Sequence, residues 1–168
     1  MKKIVLLFSL FGLLVSCADT KPCDVPTNGF ITGTGQTVMM GSEATIDVFK
    51  KIDKAWLDRD YETLKAHISD DGIYRHADGN ISNNSEEFIA FIEKDYQDTL
   101  ENGGNWGWTT SFAFSVKPST SDDPEVTNTN GEWVCARFTS ETTVYDEWYQ
   151  IIDGKLVDWT SSKRELVK

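Results

Sequence analysis

Helical and strand patterns are segregated along this chain, with helices before residue 105 and strands after it. Apolar residues recur at three- and four-residue spacing in three segments, which begin at Ser42, Tyr61 and Asn84. From Trp106 onward the pattern becomes that of strands, which we place at residues 108–117, 132–139, 143–152 and 155–162. This order favours an α+β fold in which the helices pack on one face of a curved sheet.

The predicted helices have clear start signals. Ser42 is a good N-cap for an apolar stripe that runs from Ile46 to about Leu57. Asn84 caps the third helix, and Glu87 completes a capping box three residues later. Residues 73–76 predict a short strand between the second and third helices.

Four short segments carry a resemblance to a known family. They are Ala-Trp-Leu-Asp-Arg-Asp-Tyr-Glu at 55–62, Ile-Ser-Asp-Asp at 68–71, Asp-Gly at 78–79 ahead of Ser-Glu-Glu-Phe at 85–88, and Trp-Tyr-Gln-Ile-Ile-Asp-Gly-Lys-Leu at 148–156. Over residues 42–165 their order resembles the nuclear transport factor 2-like superfamily, which includes SnoaL-like and steroid-isomerase-like domains. The resemblance implies a cone with three N-terminal helices packed on a strongly curved, mostly antiparallel sheet. Such cones include isomerases, cyclases, dehydratases and non-catalytic binding domains, so the fold does not settle the function.

The resemblance also suggests which activity to exclude. Steroid-isomerase-like members have a carboxylate base at the end of the first strand. A tyrosine on the first helix and a protonated carboxyl on a late strand hold the oxyanion. At these positions the resemblance places His76, Ile52 and, near the late-strand site, Trp148. We therefore expect the oxyanion donors to be missing and ketosteroid isomerisation to be disfavoured.

Two residues are candidates for acid–base catalysis. His76 is the first, because imidazole titrates near neutral pH; the alternative is a strand-end histidine satisfied by backbone or water. Asp146 is the second if the face that it shares with Trp148 points inward, where it can pair with His76 or Arg137. The alternative is a solvent-facing acid, and the other face of this strand is apolar as well.

A pocket in the cone would be mostly aromatic. The predicted ligand-binding residues are Trp56, Trp108, Phe112, Arg137, Trp148 and Trp159. Trp159 matches a pocket-lining position of the steroid-isomerase-like relatives. For the aromatic residues the alternative is plain core packing, and for Arg137 it is an internal ion pair. The sequence contains no metal-binding or nucleotide-binding pattern, so we expect no metal and no cofactor.

The first 17 residues resemble a bacterial lipoprotein signal. Two lysines precede the uncharged segment 4–15, which is too short to span a bilayer. The sequence Leu-Val-Ser-Cys at 14–17 resembles the lipobox, in which the cysteine receives lipid and the chain is cut before it. Cys17 is therefore the predicted lipidation site and the protein's attachment to a membrane. Ala18, in place of an aspartate, favours the periplasmic or surface face of an outer membrane, where the cell has one.

The sequence thus predicts a signal peptide at 1–16, a lipidated cysteine and flexible tether at 17–41, and one domain at 42–168. The end of the tether, residues 37–41, can pack against the domain edge. Without residues 1–16 the chain has 14 basic and 27 acidic residues, a net charge of −13. This charge argues against a nucleic-acid partner, whose phosphates it would repel.

Three functions remain open from the sequence. The first is a lipid-anchored, non-catalytic domain that binds a small apolar or amphipathic molecule. The second is an isomerase, dehydratase or cyclase that uses His76 as general base. The third is an assembly module with a filled cone, which forms a homodimer through the sheet. A disulfide between Cys23 and Cys135 is also left open.

Overall fold

The computed structural model describes residues 25–128 and 131–166. The predicted signal peptide, the predicted lipidation site Cys17, and Cys23 lie outside these residues. Among the described residues, three helices pack against one eight-stranded sheet. No helix in this part of the chain is long and apolar enough to cross a membrane.

The helices are α1 (Glu43–Asp58), α2 (Tyr61–His67) and α3 (Ser85–Glu101). Both predicted N-caps are confirmed. The Ser42 hydroxyl accepts the backbone N–H of Thr45 at 3.3 Å, and the Asn84 side chain accepts that of Glu87 at 2.8 Å. Each cap satisfies a donor that the first helical turn leaves without an intrahelical partner.

The strands are β1 (Thr27–Asn28), β2 (Val38–Met40), β3 (Ile68–Arg75), β4 (Ile81–Ser82), β5 (Thr109–Pro118), β6 (Glu132–Thr139), β7 (Thr143–Ile152) and β8 (Lys155–Glu165). Their order in the sheet is β1-β2-β5-β6-β7-β8-β3-β4. Only the β3–β8 pair is parallel among the described strands, so the predicted mostly antiparallel sheet is confirmed.

The sheet begins before residue 42, because β2 adds a strand to the edge of β5. The Gly41 N–H donates to the Ser115 carbonyl at 2.8 Å, and the Ser42 N–H donates to a Glu132 carboxylate oxygen at 2.6 Å. A Cβ on Gly41 would lie 2.6 Å from that same oxygen. Residues 37–41 thus pack against the domain edge, and a side chain at position 41 would displace Glu132 and Ser115.

Strand β3 starts earlier than the sequence predicted, at Ile68 instead of residue 73. Its pairing with β8 shifts register between Ile68 and Ile73. Just after the shift, the ring of Tyr74 lies over Gly72, and its hydroxyl donates to the Ser69 carbonyl at 2.6 Å. The missing side chain of Gly72 makes room for this buried ring.

The core lies between α1, α3 and the inward face of the sheet. Tyr74 stacks on Phe88 with ring centroids 4.3 Å apart, and both side chains are fully buried. Trp56 and Trp159 pack on Phe88 at 5.0 and 5.2 Å. Since Trp56 and Trp159 also line the cavity described below, these two rings form the border between core and cavity.

Candidate functional site

A cavity of about 450 Å³ opens between α1, α3 and the inward faces of β7 and β8. The turn between β3 and β4, residues 104–108 and the β6–β7 turn form its rim. Its volume falls within the range of ~300–1,000 Å³ that is usual for small-molecule pockets.

Four tryptophans form much of the cavity wall: Trp56, Trp106, Trp108 and Trp159. Trp56 and Trp108 meet at 6.3 Å with ring planes 83° apart, and Trp106 and Trp108 meet at 5.4 Å and 78°. Three of the predicted ligand-binding residues, Trp56, Trp108 and Trp159, therefore lie at the cavity; that they bind a ligand stays a prediction.

Glu147 brings a buried carboxyl to this aromatic wall. Its side chain comes from β7, and the residue is 7% exposed. One carboxyl oxygen accepts the Tyr149 hydroxyl and, at 3.1 Å, the Trp159 indole N–H; the other accepts the Ser161 hydroxyl at 3.0 Å. Burial raises the pKa of Glu147 to about 7, because these neutral donors only partly replace water.

Asp53, on α1, brings a second carboxyl to the same cavity. It accepts the Trp108 indole N–H at 2.8 Å and the Thr110 hydroxyl at 3.2 Å. Burial raises the pKa of Asp53, while these two hydrogen bonds lower it in part. The charge of Asp53 also contributes to the raised pKa of Glu147, so the two carboxyls interact.

The cavity is acidic as a whole. Among the described residues, six acidic and two basic side chains line it. Of the two lysines, Lys94 is paired with Asp98. No group of three or more histidine, cysteine or acidic side chains in the described residues is placed to hold a metal ion.

His76 is buried beside the cavity, at 5% exposure, and does not line it. Its Nε2 forms a hydrogen bond of 2.8 Å with the Ser82 hydroxyl, and Phe91, a cavity residue, lies 3.6 Å from its ring centroid. The Nδ1 atom has no hydrogen-bond partner among the described residues. Burial lowers the pKa of His76, which keeps the imidazole neutral at physiological pH.

The structure places the other predicted site residues on the opposite face of the sheet and so corrects their assignment to the pocket. Asp146 forms a two-point ion pair with Arg137, at 2.6 and 3.0 Å. Trp148 and Phe112 are 45% and 41% exposed, and Phe112 lies under the Arg137 guanidinium at 5.5 Å. Because side chains alternate between faces along a strand, the inward position of Glu147 puts both of its neighbours outside.

The sequence matches no protein-family model and no curated protein. Among solved structures, a candidate ketosteroid isomerase from Kribbella flavida is 15% identical with a TM-score of 0.54, covering 77% of this chain and 84% of its own. A cystatin-like fold protein from Burkholderia xenovorans is 14% identical with a TM-score of 0.55, covering 79% of this chain and 100% of its own. The chain has the nuclear transport factor 2-like cone fold. Identities this low show the fold alone.

The cone geometry changes which residue stands at the late-strand carboxyl position. The family resemblance placed Trp148 near this position of the steroid-isomerase-like domains. In the structure the adjacent Glu147 faces the cavity with a pKa of about 7, so a late-strand carboxyl is present. Ile52, at the position of the helix tyrosine, is fully buried in the core and offers no hydrogen bond.

Asp53 and Glu147 were not among the residues predicted from the sequence, although the position of each in its element indicates an inward side chain. Asp53 lies four residues after Phe49 and three before Trp56, which places it on the inward face of α1. Glu147 shares its strand parity with Tyr145 and Tyr149. A carboxylate in the middle of an inward apolar stripe is the pattern to look for.

Proposed function

We propose that this protein is a lipid-anchored component of the cell envelope whose cone binds one small apolar or amphipathic molecule. The observation that carries the proposal is the cavity of about 450 Å³, in which four tryptophans stand beside a charged and polar lining. A cone filled by its own side chains, as in the assembly alternative, does not fit a cavity of this size.

The anchor half of the proposal depends on Cys17 and the lipobox pattern that precedes it. Two or more acyl chains hold a protein stably on a bilayer, and the cavity would then work at a membrane surface. An amphipathic occupant suits that location, because it partitions between the bilayer and an apolar protein site.

Native mass spectrometry of the full-length protein, purified gently from its host in detergent, tests the binding half. We expect one small molecule per chain, and denaturation followed by chemical analysis of the released material names its class. Trp108→Ala should lower the bound fraction because Trp108 forms part of the wall. Trp148→Ala is the matched control on the outer face and should leave it unchanged. An empty native protein would contradict the proposal.

Acid–base catalysis of the isomerase, dehydratase or cyclase type is the second candidate function. The observation in its favour is Glu147, which faces the cavity with a pKa near the pH at which a general acid or base works best. The geometry favours Glu147 over His76 for this role, since Glu147 lines the cavity and His76 does not. Turnover of the recovered molecule by the wild type, lost in Glu147→Gln and retained in Asp146→Asn, would favour this candidate.

We further propose that the outer sheet face pairs with a second copy of the chain. Phe112, Phe114 and Trp148 are 40–45% exposed there, beside the internally neutralised Arg137–Asp146 pair. Sedimentation equilibrium should give a dimer that Trp148→Glu converts to a monomer. Leu100→Glu, at an equally exposed site on α3, is the control and should remain dimeric. A monomeric wild type would exclude this pairing.

A further inference from the structure

We propose that the cavity selects a cationic ligand, a protonated amine or a quaternary ammonium, whose positive group binds between Asp53 and Glu147 against the tryptophan rings. This inference rests on the proposed binding function and adds the chemical class of the ligand. It uses three independent features of the cavity: its uncompensated carboxyls, its aromatic wall and its charge.

The first feature is that neither Asp53 nor Glu147 has a cationic partner among the described residues. None of the ion pairs among the described residues includes Asp53 or Glu147. Every hydrogen bond to Glu147 comes from a neutral group, although the residue is 93% buried. A buried carboxylate is costly unless it is paired. A ligand cation supplies the missing charge, and in its absence the raised pKa of Glu147 favours retention of a proton.

The second feature is the arrangement of the indoles around these carboxyls. Trp108 donates its N–H to Asp53, and Trp159 donates its N–H to Glu147. Each carboxyl is thus held beside an aromatic ring that lines the cavity. Indole faces attract cations through their quadrupole, and the attraction is strongest where water is excluded. Carboxyl and ring therefore favour the same kind of ligand group.

The third feature is the charge of the whole lining. Six acidic side chains and two lysines surround the cavity among the described residues, and one lysine is already paired with Asp98. The chain itself has a net charge of −11. An anionic ligand would meet repulsion on approach, whereas a cation would be concentrated at the entrance.

The effect of ligand charge on affinity can be measured with three probes of nearly equal shape: 2-phenylethylamine, 2-phenylethanol and phenylacetate. Isothermal titration calorimetry at pH 7.5 would measure each with the full-length protein in uncharged maltoside micelles, after subtraction of a micelle blank. We expect the amine to bind about tenfold more tightly than the alcohol, because Asp53 and Glu147 attract its charge together with the indole rings beside them. Phenylacetate should bind more weakly than the alcohol.

Two substitutions test whether the carboxyls cause the preference. Glu147→Gln and Asp53→Asn should each reduce the amine-to-alcohol affinity ratio to less than about threefold, because each removes one negative charge from the site. Asp146→Asn removes a carboxylate from the outer face of the same strand and should keep the wild-type ratio. Circular dichroism would confirm that each variant is folded, and having two variants keeps the test valid if one is not.

The outcomes distinguish the preference for a cationic ligand from the proposed binding of small molecules in general. Equal binding of amine and alcohol, or tightest binding of phenylacetate, would overturn the cationic preference and leave a general small-molecule site in place. A preference that persists in both carboxyl variants would show that other groups cause it and would also overturn the inference. Absence of binding by all three probes would remove both the inference and the proposed function.

Discussion

Replacing Glu147 by glutamine should change how the stability of the fold depends on pH. In the unfolded chain this carboxyl titrates near its ordinary pKa of 4.5, and in the fold its pKa is raised to about 7. Between these values the folded state holds a proton that the unfolded state has released. Unfolding free energy therefore falls as pH rises from 4.5 to 7, and the contribution of Glu147 is fully lost above that range.

The size of the effect follows from the two pKa values. Each unit of difference between the folded and unfolded pKa corresponds to ~1.4 kcal/mol. Glu147 therefore accounts for a loss of about 3 kcal/mol in the free energy of unfolding between pH 4 and pH 8. Glutamine stays neutral, and its amide oxygen can still accept from Tyr149 and Trp159. Relative to the wild type, Glu147→Gln should therefore gain about 3 kcal/mol of stability over the same interval.

Urea unfolding followed by tryptophan fluorescence, at half-unit steps from pH 4 to pH 8, measures this difference. Groups outside the cavity titrate alike in both proteins and cancel in the comparison. Asp146→Asn, at the neighbouring exposed carboxylate, should run parallel to the wild type. A wild-type-to-Gln difference that stays constant within about 1 kcal/mol would refute the reasoning, because folding would then leave the pKa of Glu147 unchanged.

Three further predictions concern the rest of the chain. Gly41→Ala should destabilise the fold by about 1–3 kcal/mol, measured by urea unfolding, because the new Cβ would lie 2.6 Å from a Glu132 carboxylate oxygen. Phe88→Ala should cost about 3–5 kcal/mol in the same assay, because it removes a fully buried ring that stacks on Tyr74. Cys17→Ser should release the protein from membranes in cell fractionation, and unchanged fractionation would contradict the predicted lipid anchor.

Strands β6 and β7 were predictable from sequence because the apolar pattern of the segments and the turn residues between them indicate the same strand bounds. The predicted segments 132–139 and 143–152 coincide with β6 and β7. The hairpin that follows turns at Asp153 and Gly154, which both adopt positive φ, as a tight hairpin requires. Strand β3 was harder to place, because its pairing with β8 shifts register between Ile68 and Ile73 and so breaks the regular alternation.

The sequence did not show which face of β7 points inward, and the cavity carboxyl of Glu147 was therefore not predicted. Tyr145 and Tyr149 lie on one face of this strand and Trp148 on the other, so alternation of apolar residues does not distinguish them. The packing of the helices determines which face of β7 points inward, since α1 and α3 cover only the face that carries Glu147. Three of the four cavity tryptophans were among the predicted residues, including Trp56, which belongs to the apolar stripe of α1, and Trp159, which the family resemblance indicated.

Strand β7 reverses the usual distribution of side chains at two adjacent residues. Glu147 is 7% exposed, while Trp148 is 45% exposed. Burying the tryptophan and exposing the glutamate would be the more stable arrangement for an isolated empty domain. Natural sequences depart from local rules mainly at functional sites, where another gain compensates for the loss. A ligand cation beside Glu147 and a second chain over Trp148 would each relieve one half of the reversal. The two occupants lie on opposite faces of one sheet, so the loss of either should leave the other intact.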